Sequence, residues 1–181
     1  MEIEMRVKVD NFDGVIKKIT QMGAVLVKEQ RQIDVYYGET SLYDKLGYSF
    51  MLRVRREGVK SFLTYKGAKL KIDGVWEEYE TEISDPEAVV EMLVSSGFDK
   101  IIEVSKIRKE YKLEKFSICL DKIENLGSFV EIEEVGEGVS QENVYNLIKE
   151  IGLDSARVIK KGYIALLLAQ AGSPYSRYIN N

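Results

Sequence analysis

The sequence predicts an α+β fold, an eight-stranded antiparallel β-barrel with helices packed outside it. Three observations carry that expectation. Polar and apolar residues alternate with period two over eight segments, the pattern of strands with one buried face. Helical stretches with cap signals interrupt those segments. The strand spacings suit hairpins, and closing such a sheet removes its edges. With 181 residues the chain can build one domain with a substantial core. A single domain over 1–172 and a flexible tail over 173–181 are expected.

The first strand is Glu2 to Val9. Asp10 or Asn11 caps a helix through Met22, with Phe12, Val15, Ile16 and Ile19 as its buried stripe, and Gly23 ends it. A strand from Ala24 to Tyr37 leads into a turn-rich segment, Gly38 to Gly47. Strands follow over Tyr48 to Glu57, Lys60 to Leu70 and Val75 to Ile83. Ser84 or Asp85 caps the next helix, Pro86 takes its favoured first position, and Gly97 closes it. Strands then cover Phe98 to Leu113, Phe116 to Ile123 and Ser128 to Val135. Ser140-Gln-Glu-Asn143 starts a third helix in the manner of a capping box, and a last helix spans Gly162 to Gln170.

Composition removes several function classes. The chain has no histidine, which excludes Ser-His-Asp and Cys-His catalysis and HExxH zinc sites. Its single cysteine, Cys119, excludes an internal disulfide and reads as packing. Any metal must then be held by carboxylates, which suit Mg²⁺, Mn²⁺ or Ca²⁺. A net charge of −4 and a pI near 5.2 argue against a nucleic-acid partner. No apolar run nears the ~20 residues of a membrane helix, and the first strand leaves no room for a signal peptide. A cytoplasmic protein is expected.

Parity supplies the functional expectation, because residues of equal parity in a strand face the same side. Glu2, Glu4, Arg6 and Lys8 share one face of the first strand. Arg53 with Arg55, Thr64 with Lys66, Glu78 with Glu80 and Glu82, Lys106 with Arg108, and Glu131 with Glu133 do the same in theirs, and Asp121 opposes Leu120. The apolar faces need helical cover, so the charged faces turn inward to a lumen. Two unit charges at ~4 Å interact by ~4 kcal/mol at an effective dielectric near 20, so crowded carboxylates repel unless a cation joins them. A metal-bound polyphosphate satisfies both sets, since Arg and Lys take phosphate oxygens and Mg²⁺ takes carboxylates plus phosphate oxygens. An interior salt-bridge network with no ligand is the competing reading.

These residues resemble the CYTH domain, or triphosphate tunnel metalloenzyme, family, which includes class IV adenylyl cyclases, thiamine triphosphatases and inorganic triphosphatases. Glu2-Ile-Glu4-Met-Arg6 is similar to the family's ExExK strand, with Arg6 in the place of the lysine. Asp34-Val-Tyr36-Tyr37, Leu52-Arg53-Val54-Arg55, Thr64-Tyr-Lys66, Glu78-Tyr-Glu80-Thr-Glu82, Lys106-Ile-Arg108, Leu120-Asp121 with Leu126-Gly127, and Phe129-Val-Glu131-Ile-Glu133 follow in order. Lys161-Gly-Tyr163 resembles the late basic-Ser-Tyr element, with Gly162 replacing serine.

The resemblance implies metal ligands at Glu2, Glu4, Glu80, Glu82, Asp121, Glu131 and Glu133, and triphosphate contacts at Arg53, Arg55, Lys66, Lys106, Arg108 and Lys161. It implies a catalytic role for the strand bearing Glu2, Glu4, Arg6 and Lys8. Arginine cannot serve as a proton acceptor there, because its pKa exceeds ~12. The implied cofactor is Mg²⁺ or Mn²⁺, and the implied partner is a small triphosphate such as ATP, tripolyphosphate or thiamine triphosphate. Compact length and the EEYETE segment resemble the class IV cyclase subgroup, which converts ATP to cyclic AMP and pyrophosphate. A triphosphatase and a non-catalytic triphosphate sensor are the alternatives, in a monomer or homodimer. Tyr36, Tyr37, Tyr48 and Trp76 are candidates to stack on an organic ring.

Overall fold

The computed structural model describes residues 3–67, 77–136, 139–159 and 161–179. Among them are nine strands: β1 (Ile3–Val9), β2 (Val25–Gly38), β3 (Phe50–Glu57), β4 (Lys60–Gly67), β5 (Glu77–Ile83), β6 (Asp99–Leu113), β7 (Phe116–Ile123), β8 (Gly127–Glu134) and β9 (Val158–Ile159). Six helices accompany them: α1 (Asp13–Gln21), α2 (Thr40–Leu46), α3 (Pro86–Ser95), α4 (Gln141–Ile151), α5 (Tyr163–Gln170) and α6 (Ser176–Ile179). The strand order is β5-β4-β3-β2-β6-β7-β8-β1-β9. The antiparallel α+β architecture is therefore the expected one. The ninth strand is β9, two residues paired with Arg6 and Val7, and two residues carry no period to read.

The chain groups into two compact units, one of residues 1–30 and 106–160, the other of 31–105 and 161–181. Within the first, β1, β7 and β8 pair antiparallel and turn their apolar residues toward α1 and α4. Met5, Val7, Ile118, Leu120, Val130 and Ile132 pack there with Val15 and Ile19 of α1 and with Val144, Leu147 and Ile148 of α4. Each fully buried aliphatic side chain stabilises the fold by roughly 1.5–3 kcal/mol, so this layer fixes which strand faces are covered. Ser140 caps α4 by accepting from the Asn143 amide at 3.1 Å. Glu134, on the covered side, is fully buried yet satisfied: it accepts from the Ser140 amide and the Asn143 side chain, both at 2.8 Å, and pairs with Lys115.

In the second unit β2, β3, β4 and β5 pair antiparallel in that order. Val35, Tyr37 and Val54 form the core, with Leu52, Leu63 and Ile83 and with Val89, Val90 and Leu93 of α3 packed against it. Asp85 caps α3 by accepting from the Ala88 amide at 2.9 Å. In both units, then, helices cover the apolar strand faces, as the parity argument requires.

One local outcome differs from the sequence expectation. The turn-rich segment holds α2, whose first turn is capped by Glu39 accepting from the Ser41 amide at 2.9 Å, and whose end is left-handed Gly47 at φ 74°. A glutamate cap and a seven-residue helix give little helical signal. Among the described residues of the carboxyl-terminal stretch, α6 follows α5, and the Tyr175 hydroxyl donates to Asp99 at 3.2 Å. The ends of two expected strands, beyond Gly67 and before Glu77, lie outside the described residues.

Gly38 closes β2 against α2. A Cβ there would sit 2.1 Å from the Tyr43 hydroxyl and 2.5 Å from the Ile101 side chain. Tyr43 is buried and packs edge-on against Phe50 and Tyr178, so it has little room to move. Gly38→Ala is expected to destabilise the protein by about 1–3 kcal/mol, the usual cost of overpacking, readable as a lowered midpoint in thermal or urea unfolding.

Candidate active site

Opposite the helix-covered layers, each unit carries a cluster of paired charges. In the first unit β1 and β8 set Arg6 against Glu131 and Glu4 against Glu133 in register. Arg6 donates from Nη2 to Glu4 Oε1 at 2.6 Å and from Nε to Glu131 Oε2 at 2.8 Å. Arg108, on β6, grips Asp121 with two bonds of 2.7 and 2.5 Å and reaches Glu131 Oε1 at 2.8 Å. The Lys106 ammonium lies 3.6 Å from Asp121 Oδ2. Asp121 is fully buried, and Arg6, Lys106 and Glu131 are nearly so.

Three carboxylates (Glu4, Asp121, Glu131) thus meet three cations (Arg6, Lys106, Arg108). Such pairing is what makes burial tolerable, since an isolated charge out of water is very costly. Burial alone would raise the Glu131 pKa. Arg108, Arg6 and Lys106 outweigh it and hold this carboxyl far below the ordinary range. Burial likewise opposes the Arg108 charge, and Glu131 and Asp121 more than restore it.

The second unit repeats the arrangement on β2 to β5. Arg55 donates to both oxygens of Asp34, at 2.6 and 2.7 Å, a bidentate fork. Arg53 donates to Thr64 Oγ1 at 2.9 Å, to Glu80 at 2.8 Å and to Glu78 at 3.3 Å. Thr64 in turn donates to Glu80 at 2.8 Å, and Lys66 to Glu78 at 2.6 Å. The Tyr36 phenol sits on this same face, and burial together with Asp34 pushes its pKa up to about 12.

The expected site residues thus fall into distinct places. Glu4, Arg6, Lys106, Arg108, Asp121 and Glu131 form one cluster; Arg53, Arg55, Lys66 and Glu80 belong to the other. Glu133 is half-buried beside Glu4 in register. Glu82 shares parity with Glu80 but pairs with Lys60 at 2.9 Å, both more than half exposed. Lys8 is exposed, its ammonium 5.7 Å from the Phe129 ring centre. Lys161 is exposed just before α5. Glu2 lies outside the described residues, as does Trp76.

Sequence reasoning left Asp34, Thr64 and Glu78 out of the candidate set, although their parity and motifs place them on the charged faces. Cys119 faces Glu131 across β7 and β8. It is buried, and burial pushes its thiol up to about 12, so it is no thiolate at neutral pH.

Among the described residues no three carboxylates or thiols gather into a group able to hold an ion. The donor chemistry nevertheless fits a hard divalent cation, because the first-unit face offers carboxylate oxygens. Glu4 and Glu133 are direct cross-strand neighbours of like charge, and the Arg6 guanidinium already answers Glu4 at 2.6 Å. Mg²⁺ characteristically takes only one or two carboxylates and completes its shell with water and substrate phosphate oxygens. One or two carboxylates drawn from Glu4, Glu131 and Glu133 would suit that role.

The sequence profile of the CYTH domain matches residues 1–163. The chain belongs to the CYTH family. A Methanocaldococcus jannaschii protein named "Putative adenylate cyclase" is 30% identical to this CYTH chain over 172 residues, spanning 92% of it and 98% of the relative. A solved structure from Pyrococcus horikoshii matches with a TM-score of 0.80 at 31% identity, over 92% of this chain and 99% of that one. A Hippeastrum protein shares the CYTH fold at TM-score 0.65 and 19% identity, over 95% of each chain. That protein's name joins adenylyl cyclase with a dominant triphosphatase activity. No helix among the described residues is long and apolar enough to cross a membrane.

Proposed function

We propose that this CYTH chain is a divalent-metal-dependent enzyme acting on a small triphosphate, foremost as an adenylyl cyclase that converts ATP to cyclic AMP and pyrophosphate. The observation that carries it is the pair of charge-matched clusters on the faces opposite the helices. A charge-balanced lattice of Arg, Lys and carboxylate can exchange its internal counter-ions for a polyanion and a cation together. The Methanocaldococcus relative, whose name is that of an adenylate cyclase, supports the choice of reaction.

Each cluster taken by itself offers donors for phosphate oxygens: Arg53, Arg55 and Lys66 in one unit, and Arg6, Lys106 and Arg108 in the other. Glu4, Glu131 and Glu133 would supply the carboxylates for Mg²⁺ or Mn²⁺, with Asp121 in support. When bound, that ion supplies Lewis-acid stabilisation of charge on the phosphoryl oxygens. In the cyclase reaction the ribose 3′ oxygen forms a bond to the α-phosphorus, and the bond from that phosphorus to the bridging oxygen breaks. Pyrophosphate leaves with the electron pair. The hydroxyl proton must pass to a base other than Arg6, whose guanidinium stays charged and orients phosphate instead.

Hydrolysis of the triphosphate is the second reading, and a specific observation favours it. The aromatic candidates for gripping an organic group are engaged elsewhere among the described residues. Tyr36 is buried opposite Arg53 in register, Tyr37 packs in the apolar core, and Tyr48 lies near Tyr65. A tripolyphosphatase needs no such platform. Phosphorus NMR of ATP incubated with the protein and Mg²⁺ or Mn²⁺ separates the readings. Pyrophosphate with cyclic AMP is expected; orthophosphate with ADP would replace the cyclase by the triphosphatase; tight binding of ATP without turnover would leave a sensor.

A further inference from the structure

The geometry points to Arg6 as the internal competitor of the divalent cation, so that cation and triphosphate each bind weakly alone and strongly together. The inference rests on the proposed site and concerns how that site is regulated. Arg6 spans two strands: one end of its guanidinium holds Glu4 on its own strand, the other holds Glu131 on β8. Glu131 gives its second oxygen to Arg108 at 2.8 Å, so both of its oxygens are already engaged by guanidinium groups. Arg108 in turn is locked onto Asp121 by two further bonds. A cation approaching Glu4 and Glu131 therefore meets carboxylates whose charge is already matched.

Arginine cannot step aside by losing its proton. Its guanidinium leaves the carboxylates only if another anion receives it, and a triphosphate is that anion. Once Arg6 and Arg108 turn to phosphate oxygens, Glu4 and Glu131 regain uncompensated charge beside Glu133, and the cation becomes the favoured partner. The same exchange read backwards makes a bound cation raise the affinity for triphosphate. Linkage requires the two factors to be equal. A lysine at this position would weaken the device, because a single ammonium is a point charge without the planar fork that straps both carboxylates at once.

The test uses the full chain, Mn²⁺ as the cation and the methylene-bridged analogue of tripolyphosphate, which neither reaction can cleave. Electron paramagnetic resonance counts free Mn²⁺, with correction for Mn²⁺ held by free analogue. The wild type is expected to bind Mn²⁺ about 10- to 100-fold more tightly with the analogue than without it. Arg6→Lys and Arg6→Gln should each bind Mn²⁺ alone several-fold more tightly than the wild type and show a smaller coupling factor. Thermal melts of the variants establish that they are folded. Equal Mn²⁺ affinity with and without the analogue, or unchanged affinity in both folded variants, overturns the competitor role while leaving the metal site standing. No protein-bound Mn²⁺ even with the analogue overturns both.

Discussion

Replacing Glu131 by glutamine should cost about 3–5 kcal/mol of stability and remove the triphosphate turnover. The reason is that Glu131 answers two buried guanidiniums at once, Arg6 and Arg108. The amide keeps the shape and loses the charge, and breaking a largely buried pair from one side leaves two guanidiniums short of a counter-charge. Unfolding in urea at neutral pH measures the stability cost. The pH dependence has a definite sign. The folded-state pKa of Glu131 is held well below its ordinary 4.5, so its stabilising contribution is complete above that value. It is lost only as pH falls through the depressed folded value. Wild type and Glu131→Gln should therefore differ fully from neutrality down to about pH 5 and converge only in strong acid. A difference that vanished between pH 7 and 5 would contradict the pairing.

Arg53→Ala should show the opposite balance, a large loss of catalysis with a modest loss of stability. Arg53 is nearly buried, but its partners Glu78 and Glu80 are about a third or more exposed on their side chains. Those carboxylates can hydrate when the guanidinium is removed, and Thr64 still donates to Glu80. The triphosphate has no such substitute for a forked donor. Loss of one preorganised donor to developing phosphoryl charge costs roughly 10²–10³ in rate. A drop of that order in kcat/KM on whichever triphosphate the wild type consumes, with a melting point lowered by only a few degrees, is the expected result. Comparable activity in the variant would remove Arg53 from the substrate-binding set.

The contrast between these two residues shows what was legible in the sequence. Parity separates charged from apolar faces with no knowledge of the fold, and it placed Glu4, Arg6, Arg53, Arg55, Arg108, Asp121 and Glu131 on charged faces. It cannot tell which carboxylate answers which cation, because that depends on cross-strand register. Arg55 meets Asp34 and Arg108 meets Asp121 only because of how β2 lies on β3 and β6 on β7. Nor does parity tell how far along a strand burial extends. Lys8 shares a face with the buried Arg6, yet it stands exposed near the end of its strand. Helix α2 escaped notice because its cap is a glutamate and its buried stripe is little more than Tyr43. Strand β7, by contrast, was read residue for residue as Phe116 to Ile123, since its alternation is bounded by turns that include Glu114 and Asn125 at positive φ.

The most direct test of the central claim is a single assay of the purified chain. ATP, tripolyphosphate and thiamine triphosphate are each offered with Mg²⁺ or Mn²⁺, then again with the ions chelated, and substrate loss is followed by phosphorus NMR. Consumption of at least one triphosphate that stops on chelation and returns with added metal is the predicted result. Turnover that persists without any divalent ion, or no turnover of all three with metal present, would contradict the account.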